Sequence, residues 1–356
     1  MTHLIDSIRD RVRDAARSGG KLRIRGGGTK DFYGATLTGE ALDLASHTGV
    51  VTYEPTELFV TARCGTLLAD LERALDEQGQ MLAFEPPRFG AGSTIGGVVA
   101  AGLSGPRRVQ AGAVRDFVLG AQIVDGSGEL MSFGGRVMKN VAGYDVSRLM
   151  CGALGTLGVI TEITLKVMPK PVTEISLRFA LPQDKAITQM NQWAGRPLPI
   201  SASAWHDGQL TLRLSGATAG VAAARAQLGG DALADVEARE FWDALRDQSQ
   251  PFFEGAPLWR LSVPPTAVPI ALPGATLIEW NGGQRWLRSD ADSAKVRAAA
   301  LAAGGAATLF RADDALKRAA GAFAPLPKAL AELHKRAKQT FDPHGVLNPG
   351  RMYADL

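Results

Sequence analysis

Glycine is concentrated in one stretch of this chain, and that clustering constrains the fold more than any other feature. Of the 41 glycines in 356 residues, 16 lie between Gly90 and Gly158, about twice the density of the whole chain. Glycine adopts backbone angles that are closed to other residues and leaves no side chain between the backbone and a neighbour. The stretch therefore predicts tight turns and a backbone that approaches a ligand closely.

The composition is that of a globular protein with about two domains. Hydrophobic residues make up 46% and charged residues 21%, which excludes disorder as the main state. The net charge of +3 is too diffuse for a nucleic-acid footprint. No apolar run approaches the ~20 residues of a transmembrane segment, and no signal peptide is visible. We expect a cytoplasmic protein, with peripheral attachment to the inner membrane through a complex as the alternative.

The two cysteines, Cys64 and Cys151, exclude two kinds of protein. An iron–sulphur cluster normally needs four thiolates, and one pair cannot form a disulfide framework for a chain this long. Both are therefore expected to be small apolar residues in a reducing compartment.

The mixture of predicted hairpins and helices indicates an α+β fold rather than regular βαβ winding. Residues 118–124 and 129–133 flank an Asp-Gly-Ser-Gly turn and predict one hairpin. Residues 276–280 and 284–288 predict another.

Three local signals complete the predicted organisation. Thr66 is expected to cap a helix that runs to about Gln78. The proline-rich residues 251–273 are expected to form loop and a short edge strand. A Pro-Lys-Pro segment at 169–171 follows a predicted strand and marks the first domain boundary.

The first motif is a glycine loop, Arg25-Gly26-Gly27-Gly28-Thr29-Lys30, which follows a predicted strand. Three glycines let the backbone bend so that successive N–H groups point one way and form a concave phosphate site. The loop is not a Walker A motif, which needs a glycine directly before the lysine and Ser or Thr after it. A flexible surface turn is the alternative interpretation.

The second motif runs from Gly90 to Gly97. It fails the spacing of a dinucleotide fingerprint, because its third glycine follows the second by four residues instead of three. The hydroxyls of Ser93 and Thr94 and the paired glycines that follow would still let a ligand approach. A tightly packed helix of small residues is the alternative.

With a third motif, Gly143-Tyr144-Asp145 together with Gly155–Ile160, these motifs resemble the vanillyl-alcohol-oxidase type of FAD-binding protein, also called the PCMH-type FAD domain. The resemblance covers residues 21–171 through RIRGGGTK, EPPRFGAGSTIGG, GAVRDFVLG and KNVAGYDVSRLMCGALGTLGVITEITLKVMPKP, and it includes the tail FDPHGVLNPGRM. It implies a two-subdomain FAD-binding domain in residues 1–171 and a small α+β cap domain in 172–310. A C-terminal segment, 311–356, would return to the FAD domain.

The resemblance also implies which residues bind the cofactor. The pyrophosphate of FAD would be held at the glycine loop, by Arg25, Gly26, Gly27, Gly28, Thr29 and Lys30. The ribityl chain and flavin would lie against Pro87, Gly92, Ser93, Thr94, Gly96 and Gly97. Further residues along the cofactor would be Gly105, Ala113, Arg115 and Asp116. The adenine end would meet Gly158, Val159 and Ile160.

Departures from the family pattern shape the expected chemistry. Relatives that attach FAD covalently use a His or Cys in the first or second loop, and neither is present here, so we expect non-covalent FAD. Full-length 2-hydroxy-acid dehydrogenases carry a motif that binds a metal and the substrate. The nearest segment here is 206–211, which keeps the Asp-Gly pair but has Thr211 where the motif has a histidine. No metal site is therefore expected. Arg351 is the one catalytic candidate, as a cation at the flavin N1–C2=O edge.

Three functions remain open from the sequence. Within the family, the chain resembles most the FAD-binding subunits of bacterial glycolate dehydrogenases. There, a larger sister flavoprotein would oxidise glycolate to glyoxylate, and this chain would support assembly or electron transfer to an iron–sulphur subunit. The alternatives are a self-sufficient FAD-dependent oxidoreductase acting on a small hydroxy acid or alcohol, and a non-catalytic structural subunit.

Overall fold

The computed structural model of the chain describes residues 2–135, 144–255 and 257–356. Gly143 of the third motif lies outside the described residues. Two regions follow one another along the chain, the first ending at Pro169 and the second beginning at Thr173.

Within the described residues, the first region combines a five-stranded sheet, two strand pairs and short helices. Its strands are β1 (Leu22–Arg25), β2 (Glu40–Asp43), β3 (Val50–Glu54), β4 (Phe59–Arg63), β5 (Gln80–Met81), β6 (Val118–Val124), β7 (Leu130–Gly134), β8 (Val159–Lys166) and β9 (Met168–Pro169). Its helices are α1 (Thr2–Ser18), α2 (Leu68–Asp76), α3 (Ile95–Ala101), α4 (Arg108–Ala111), α5 (Val114–Phe117) and α6 (Tyr144–Leu149), with a 3₁₀ turn at Pro55–Glu57.

The central sheet of the first region has the strand order β3-β4-β8-β6-β7, and all neighbouring pairs are antiparallel. The predicted hairpin of β6 and β7 is confirmed. Its turn is fixed by Asp125, whose Oδ1 accepts hydrogen bonds from the backbone N–H groups of Ser127 and Glu129 at 2.9 and 2.8 Å. Ile123 and Val159 are fully buried, so the sheet forms one wall of the core.

The second region is built on one antiparallel sheet with the strand order β13-β10-β12-β11-β15-β16-β14-β17. Its strands are β10 (Thr173–Ala180), β11 (Ile200–His206), β12 (Gln209–Gly216), β13 (Asp231–Ala232), β14 (Leu258–Ser262), β15 (Ala275–Glu279), β16 (Gln284–Arg288) and β17 (Ala306–Arg311). Its helices are α7 (Gln183–Ala194), α8 (Thr218–Leu228), α9 (Asp235–Asp247), α10 (Ser293–Ala302), α11 (Asp314–Ala320) and α12 (Lys328–Phe341), with 3₁₀ turns at Pro251–Phe253 and Trp280–Gly282.

The two faces of this sheet, called the cap sheet below, have different partners. Helices α7, α8 and α10 cover one face and bury their apolar residues against it. The other face packs on the first region, where Trp286 and Phe310 of the sheet meet Tyr33 and Leu103. A ligand bound between the two regions would therefore lie against this second face.

Two expectations for local structure were wrong. Helix α2 begins at Leu68, and Thr66 does not cap it, because the Thr66 hydroxyl accepts a hydrogen bond from the backbone N–H of Gly49 at 2.9 Å. Strand β14, in the proline-rich segment, is not an edge strand, since it pairs with β16 on one side and β17 on the other. The hairpin predicted for residues 276–288 is confirmed as β15 and β16.

The end of the chain lies against β1. The backbone N–H of Leu22 donates to the carbonyl of Val346 at 2.8 Å, and that of Asn348 donates to the carbonyl of Leu22 at 2.9 Å. The Asn348 side chain then accepts a hydrogen bond from the backbone N–H of Ile24 at 2.8 Å. The tail thus flanks the strand from which the glycine loop begins. The domain limits at residues 171 and 310 stay predictions.

A buried ion cluster joins the cap sheet to the first region. Nη2 of Arg213 donates to both carboxylate oxygens of Glu85, at 2.7 and 2.9 Å. The backbone N–H of Arg107 donates to Glu85 at 2.8 Å. The Arg107 guanidinium donates to Glu174 of β10 at 2.6 Å. Burial acts to raise the pKa of Glu85, but the positive charges of Arg213 and Arg107 outweigh it and hold the pKa below its usual value.

Removing one partner of this cluster should destabilise the protein strongly. Arg213→Met leaves the Glu85 carboxylate buried without its main partner, so we expect a loss of roughly 3–5 kcal/mol in the free energy of unfolding. The control Arg73→Met breaks an exposed pair with Asp70 and should cost less than about 1 kcal/mol. Urea unfolding followed by circular dichroism measures both variants. Because the pKa of Glu85 is lowered in the folded protein, the stability lost in Arg213→Met should reach its full size above pH 4.5. This loss should disappear in more acidic solution, where Glu85 is protonated. Equal losses in the two variants would contradict the assignment.

Candidate functional site

The glycine loop presents a row of unpaired backbone donors. The N–H groups of residues 26–30 donate to no acceptor within the described part of the chain. Gly28 has a φ of +73°, in the left-handed region, which turns the loop back towards Asp31, whose N–H bonds the Gly28 carbonyl at 3.1 Å. Successive free N–H groups in such a turn form a concave site for an anion such as phosphate.

Side chains around the loop hold it in place. Arg351 is buried, and its guanidinium donates to the carbonyls of Lys30 at 3.3 Å, of Asp31 at 3.0 Å and of Ala35. Burial lowers the pKa of Arg351 to about 10. Since three carbonyls of this segment occupy the guanidinium, the geometry supports a positioning role for Arg351. Its expected role at the flavin edge stays a prediction.

The second glycine motif packs directly on the loop. A Cβ on Gly27 would overlap the carbonyl oxygen of Gly92, well inside the 3.0 Å that real Cβ atoms keep, and a Cβ on Gly26 would overlap the Thr94 hydroxyl. Thr94 is the N-cap of α3, and its Oγ1 accepts a hydrogen bond from the backbone N–H of Gly97 at 3.4 Å. Residues 90–94 are therefore a loop that leads into the first turn of α3, and this loop lies against the anion loop.

Lys30 is a half-buried cation beside these two segments. Its Nζ donates to the Ser93 hydroxyl at 2.8 Å and to the Arg88 carbonyl at 3.3 Å, and it lies 5.7 Å from the centre of the Phe89 ring. Burial lowers its pKa to about 8, although the charge of Asp247 acts to raise it. A lysine held this way keeps a positive charge at neutral pH and stabilises a neighbouring anion.

Two adjoining clefts open along the loop and α3. The first, of about 70 Å³, is lined by Ile24, Gly26, Leu44, Cys64, Thr94, Gly96, Gly97, Ala100, Leu154, Gly155, Gly158, Ile160 and Asn348. The second, of about 80 Å³, is lined by Ile24, Arg25, Gly26, Gly27, Gly28, Thr29, Lys30, Asp31, Leu37, Thr94, Gly97, Ala100, Ala101, Leu154, Asn348 and Arg351. The two share seven lining residues, so they form one continuous groove for an elongated ligand.

The remaining sequence-predicted residues lie elsewhere around the site. Pro87 and Gly105 line a third cavity, between the first region and the cap sheet. Val159 is buried in the central sheet opposite Val124. Ala113 is the N-cap of α5 and Arg115 and Asp116 lie in that helix, where the Ala113 N–H donates to Asp116 at 2.9 Å. This last group lines neither cleft. Asn348, which lines both, was missed as a site residue although the tail motif contains it.

Cys64 lines the first cleft, but its chemistry is that of an unreactive thiol. Burial raises the pKa of Cys64 to about 12, and the thiolate is the nucleophilic form of cysteine. Both cysteines are free in the structure. These facts agree with a cofactor that is bound without a covalent link.

The structure adds little support for a metal at His206. Its Nδ1 lies 3.1 Å from the Thr276 carbonyl oxygen, and its ring packs on Phe252. Among the residues that the structure describes, no three His, Cys, Asp or Glu side chains cluster to hold a metal ion. Within the same residues, no helix has the length and apolar character needed to cross a membrane.

Known proteins resemble this chain in sequence. Residues 3–134 match a family described as an FAD binding domain. Glycolate oxidase subunit GlcE of Escherichia coli is 47% identical over 351 residues, which cover 98% of this chain and 97% of that protein. Glycolate oxidase subunit GlcD of Bacillus subtilis is 35% identical over 155 residues, 43% of this chain and 33% of that protein. A D-lactate dehydrogenase of Anaerostipes hadrus is 37% identical over 139 residues, 39% and 29% of the two chains.

A solved structure resembles the whole chain. Alkyldihydroxyacetonephosphate synthase matches with a TM-score of 0.66 at 15% sequence identity, over 97% of this chain and 75% of that one. With the FAD binding domain match, this likeness confirms the predicted α+β fold of the PCMH type. The prediction that the cofactor is FAD is also confirmed, since the matched family is an FAD binding domain.

Gly97 gives a direct test of whether the clefts hold FAD. A Cβ at this position would meet Thr94 Oγ1 at 3.3 Å and otherwise project into the space that both clefts share. Gly97→Ala should therefore leave the thermal stability of the FAD-free protein unchanged or slightly raised, because alanine favours helix. It should weaken FAD binding about tenfold or more, as measured by flavin fluorescence titration.

The matched control for this test is Gly220→Ala. Gly220 also lies in a helix, α8, and a Cβ there would meet no atom within 4 Å. The control should gain the same helix stability and keep its FAD affinity. If Gly97→Ala binds FAD as tightly as the control does, the cofactor does not occupy these clefts.

Proposed function

The chain belongs to the family of the glycolate oxidase subunit GlcE, an FAD-dependent oxidoreductase family, and from that premise we propose that it is the FAD-binding subunit of a complex that oxidises glycolate to glyoxylate. Its FAD-binding domain would comprise residues 1–171 and its cap 172–310, with the segment 311–356 completing the cofactor site. The single observation that carries the proposal is the row of free N–H groups at the mouth of a groove shared by two glycine motifs.

The residues present fit an FAD molecule. The N–H groups of residues 26–30 would hold the pyrophosphate, because within the described part of the chain they donate to no acceptor. Thr94 and Gly97 would lie along the middle of the cofactor, and Gly158 and Ile160 would face its adenine end, since they line the far cleft. Bound FAD supplies two-electron redox chemistry. The protein would orient it and exclude water from the groove.

A complex of several subunits explains the division of chemistry. The relatives GlcE and GlcD are both named as glycolate oxidase subunits, so a GlcD-like sister flavoprotein is the partner we assign to this chain. An iron–sulphur subunit would receive the electrons. That cluster would need another polypeptide, because this chain has only two cysteines and a cluster normally takes four.

The alternative functions make different use of the same fold. A self-sufficient oxidoreductase would need a carboxylate anchor and a proton acceptor in this chain, in addition to FAD. A structural subunit would need only the interface between the first region and the cap sheet. The fit of the groove to FAD favours a flavoprotein over the structural subunit.

We expect the purified chain to contain FAD that acid releases. Acid precipitation should move the flavin absorption from the pellet to the supernatant, because no histidine or cysteine lies in the two glycine loops and Cys64 is a buried thiol. The absorption spectrum before and after precipitation measures this. Flavin that stays with the precipitate would contradict non-covalent binding, and a chain that stays colourless after incubation with FAD would contradict the proposed function.

The division of labour is tested on the same preparation. Glycolate-dependent dye reduction is measured for two samples. One is the chain alone, and the other is the chain co-purified with a GlcD-like flavoprotein and a cysteine-rich partner. The proposal expects substantial turnover only in the complex. Equal turnover by the chain alone would favour the self-sufficient oxidoreductase.

A further inference from the structure

An apolar groove lies between α12 and the loop that follows α6. Its volume is about 280 Å³, more than three times that of either cofactor cleft. Among the residues that the structure describes, it shares no lining residue with those clefts. It is therefore a separate surface, and its apolar lining includes Leu149, Leu157, Leu330, Leu333, Ala337 and Met352.

The polar groups that line this groove are already bound within the chain. Thr156 Oγ1 donates to the Ala153 carbonyl at 2.7 Å, and His334 Nδ1 lies 2.8 Å from a carbonyl oxygen of its own helix. Lys338 Nζ donates to two backbone carbonyls at 2.8 Å and to Asp342 at 2.7 Å. The groove thus offers little to a polar small molecule, and its occupant must bring apolar groups.

Three large apolar side chains at the groove are in contact with water. Leu149, Leu330 and Leu333 are 44%, 41% and 59% exposed. Single exposed apolar residues are common on protein surfaces, whereas a cluster of them around a concave surface is typical of an interaction site. Covering these leucines would remove apolar area from water and so stabilise a complex.

The α12 residues at the groove have the spacing of a helix-packing seam. Leu330, Leu333 and Ala337 are separated by three and then four residues, which aligns them along one side of about two helical turns. This spacing is typical of a helix that packs lengthwise against a second helix, with a crossing angle of about 20°. The occupant that fits is therefore an amphipathic helix that lies in the groove along α12.

A positive charge flanks this seam on α12. On the outer side of the helix, Lys335 pairs with Asp355 at 3.0 Å, and Glu332 lies near that pair. Arg336, directly before Ala337, lies beside the seam, and no carboxylate of the described residues comes within 4.0 Å of it. An acidic side chain on the docked helix would complement this charge.

The opposite edge of the groove also carries arginines. Burial raises the pKa of the Cys151 thiol, which lines the groove, to about 12. The charges of Arg115 and Arg148 act to lower this pKa and that of Asp116 acts to raise it, so two cations and one anion lie near the thiol. Both edges of the groove therefore favour a partner with Asp or Glu beside its apolar residues.

A second copy of α12 does not supply such acids. In the heptad that the seam defines, the flanking positions are occupied by Ala329, His334, Arg336 and Phe341, none of which is acidic. Flanking charges set the choice of partner in packed helices, and no pairing of two such helices gives Arg336 an acid at these positions. The partner that fits is therefore a different protein.

We infer that this groove is the docking site for an amphipathic helix of another subunit of the complex, with an apolar stripe that packs on Leu330 and Leu333 and an acidic side chain that pairs with Arg336. The inference rests on the proposed function, which assigns this chain to a complex, and deepens it by naming the surface where a partner attaches. Leu333, the most exposed of the three leucines, would lie at the centre of the contact.

The test is co-expression of the tagged full-length chain with a GlcD-like flavoprotein and a cysteine-rich subunit, followed by purification on the tag. Leu333→Asp should reduce the recovery of at least one partner about tenfold or more, because it buries an unpaired carboxylate at the centre of the contact. Arg336→Glu should reduce the same recovery about threefold or more at low salt. This second loss should shrink in about 0.5 M NaCl, since salt screens exposed charges.

Matched controls carry the same substitutions on other helices. Leu301 of α10 is 73% exposed, and Arg225 of α8 is exposed with no carboxylate within 4.0 Å in the described part of the chain. Leu301→Asp and Arg225→Glu should recover both partners as the wild type does. All four variants should keep the FAD content and melting temperature of the wild type, because each replaces a largely exposed side chain.

The outcomes separate this inference from the proposed function. Full recovery of both partners by Leu333→Asp would show that the inference is wrong and would leave the FAD-subunit role intact. A wild-type chain that recovers neither partner would overturn the proposed complex, and this inference with it. The chain alone is also measured by analytical ultracentrifugation and by sedimentation with phosphatidylglycerol vesicles. A dimer, or vesicle binding, that Leu333→Asp abolishes would assign the groove to a second copy or to lipid and overturn the inference.

Discussion

The close backbone contact between the two glycine motifs is the constraint on which the rest of the cofactor groove depends. Gly27 lies so near the carbonyl of Gly92 that no side chain fits between them. This contact brings the N-terminus of α3 to the loop after β1, where five backbone N–H groups find no acceptor among the described residues. The density of glycine in this stretch is therefore a packing requirement as much as a turn signal. A groove walled by backbone can follow the length of a flat, charged ligand without side chains in the way.

Buried and half-buried positive charges lie near this groove. Lys30, Arg311, Lys317 and Arg351 form no ion pair within 4.0 Å among the described residues, and burial lowers the pKa of each. Backbone carbonyls solvate Lys317 and Arg351, and three phenyl rings surround Arg311, the nearest being Phe32 at 4.6 Å. Carbonyls and rings only partly replace water around a cation. The pyrophosphate of a bound ligand would offset part of the remaining positive charge.

The local parts of this structure follow from the sequence, and the parts built by distant pairing do not. The hairpin of β6 and β7 is predictable because its turn is held by Asp125 within the same few residues. The glycine loop is predictable because its backbone freedom is local. Strand β14 was misplaced because its position depends on two partners elsewhere in the chain, and Asn348 was missed because it bonds Ile24 across almost the whole chain. Arg260, Gln284 and Glu279, which are joined by hydrogen bonds in the cap sheet, come from three separate strands, so no spacing in the sequence marks them.

Two buried glutamates at the interface, Glu85 and Glu279, have opposite electrostatic environments. Glu85 has two arginines, and its pKa lies below the usual value, so it stays charged and joins the cap sheet to the first region. Glu279 has only neutral hydrogen-bond donors and a raised pKa, so it changes protonation near neutral pH. Environments that move the pKa values of neighbouring acids in opposite directions are typical of sites that separate a permanent charge from a proton acceptor. A direct pair between Arg260 and Glu279 would require both charges to lose their water, and the Gln284 amide instead accepts from Arg260 and donates to Glu279, so that each charged group has a neutral partner.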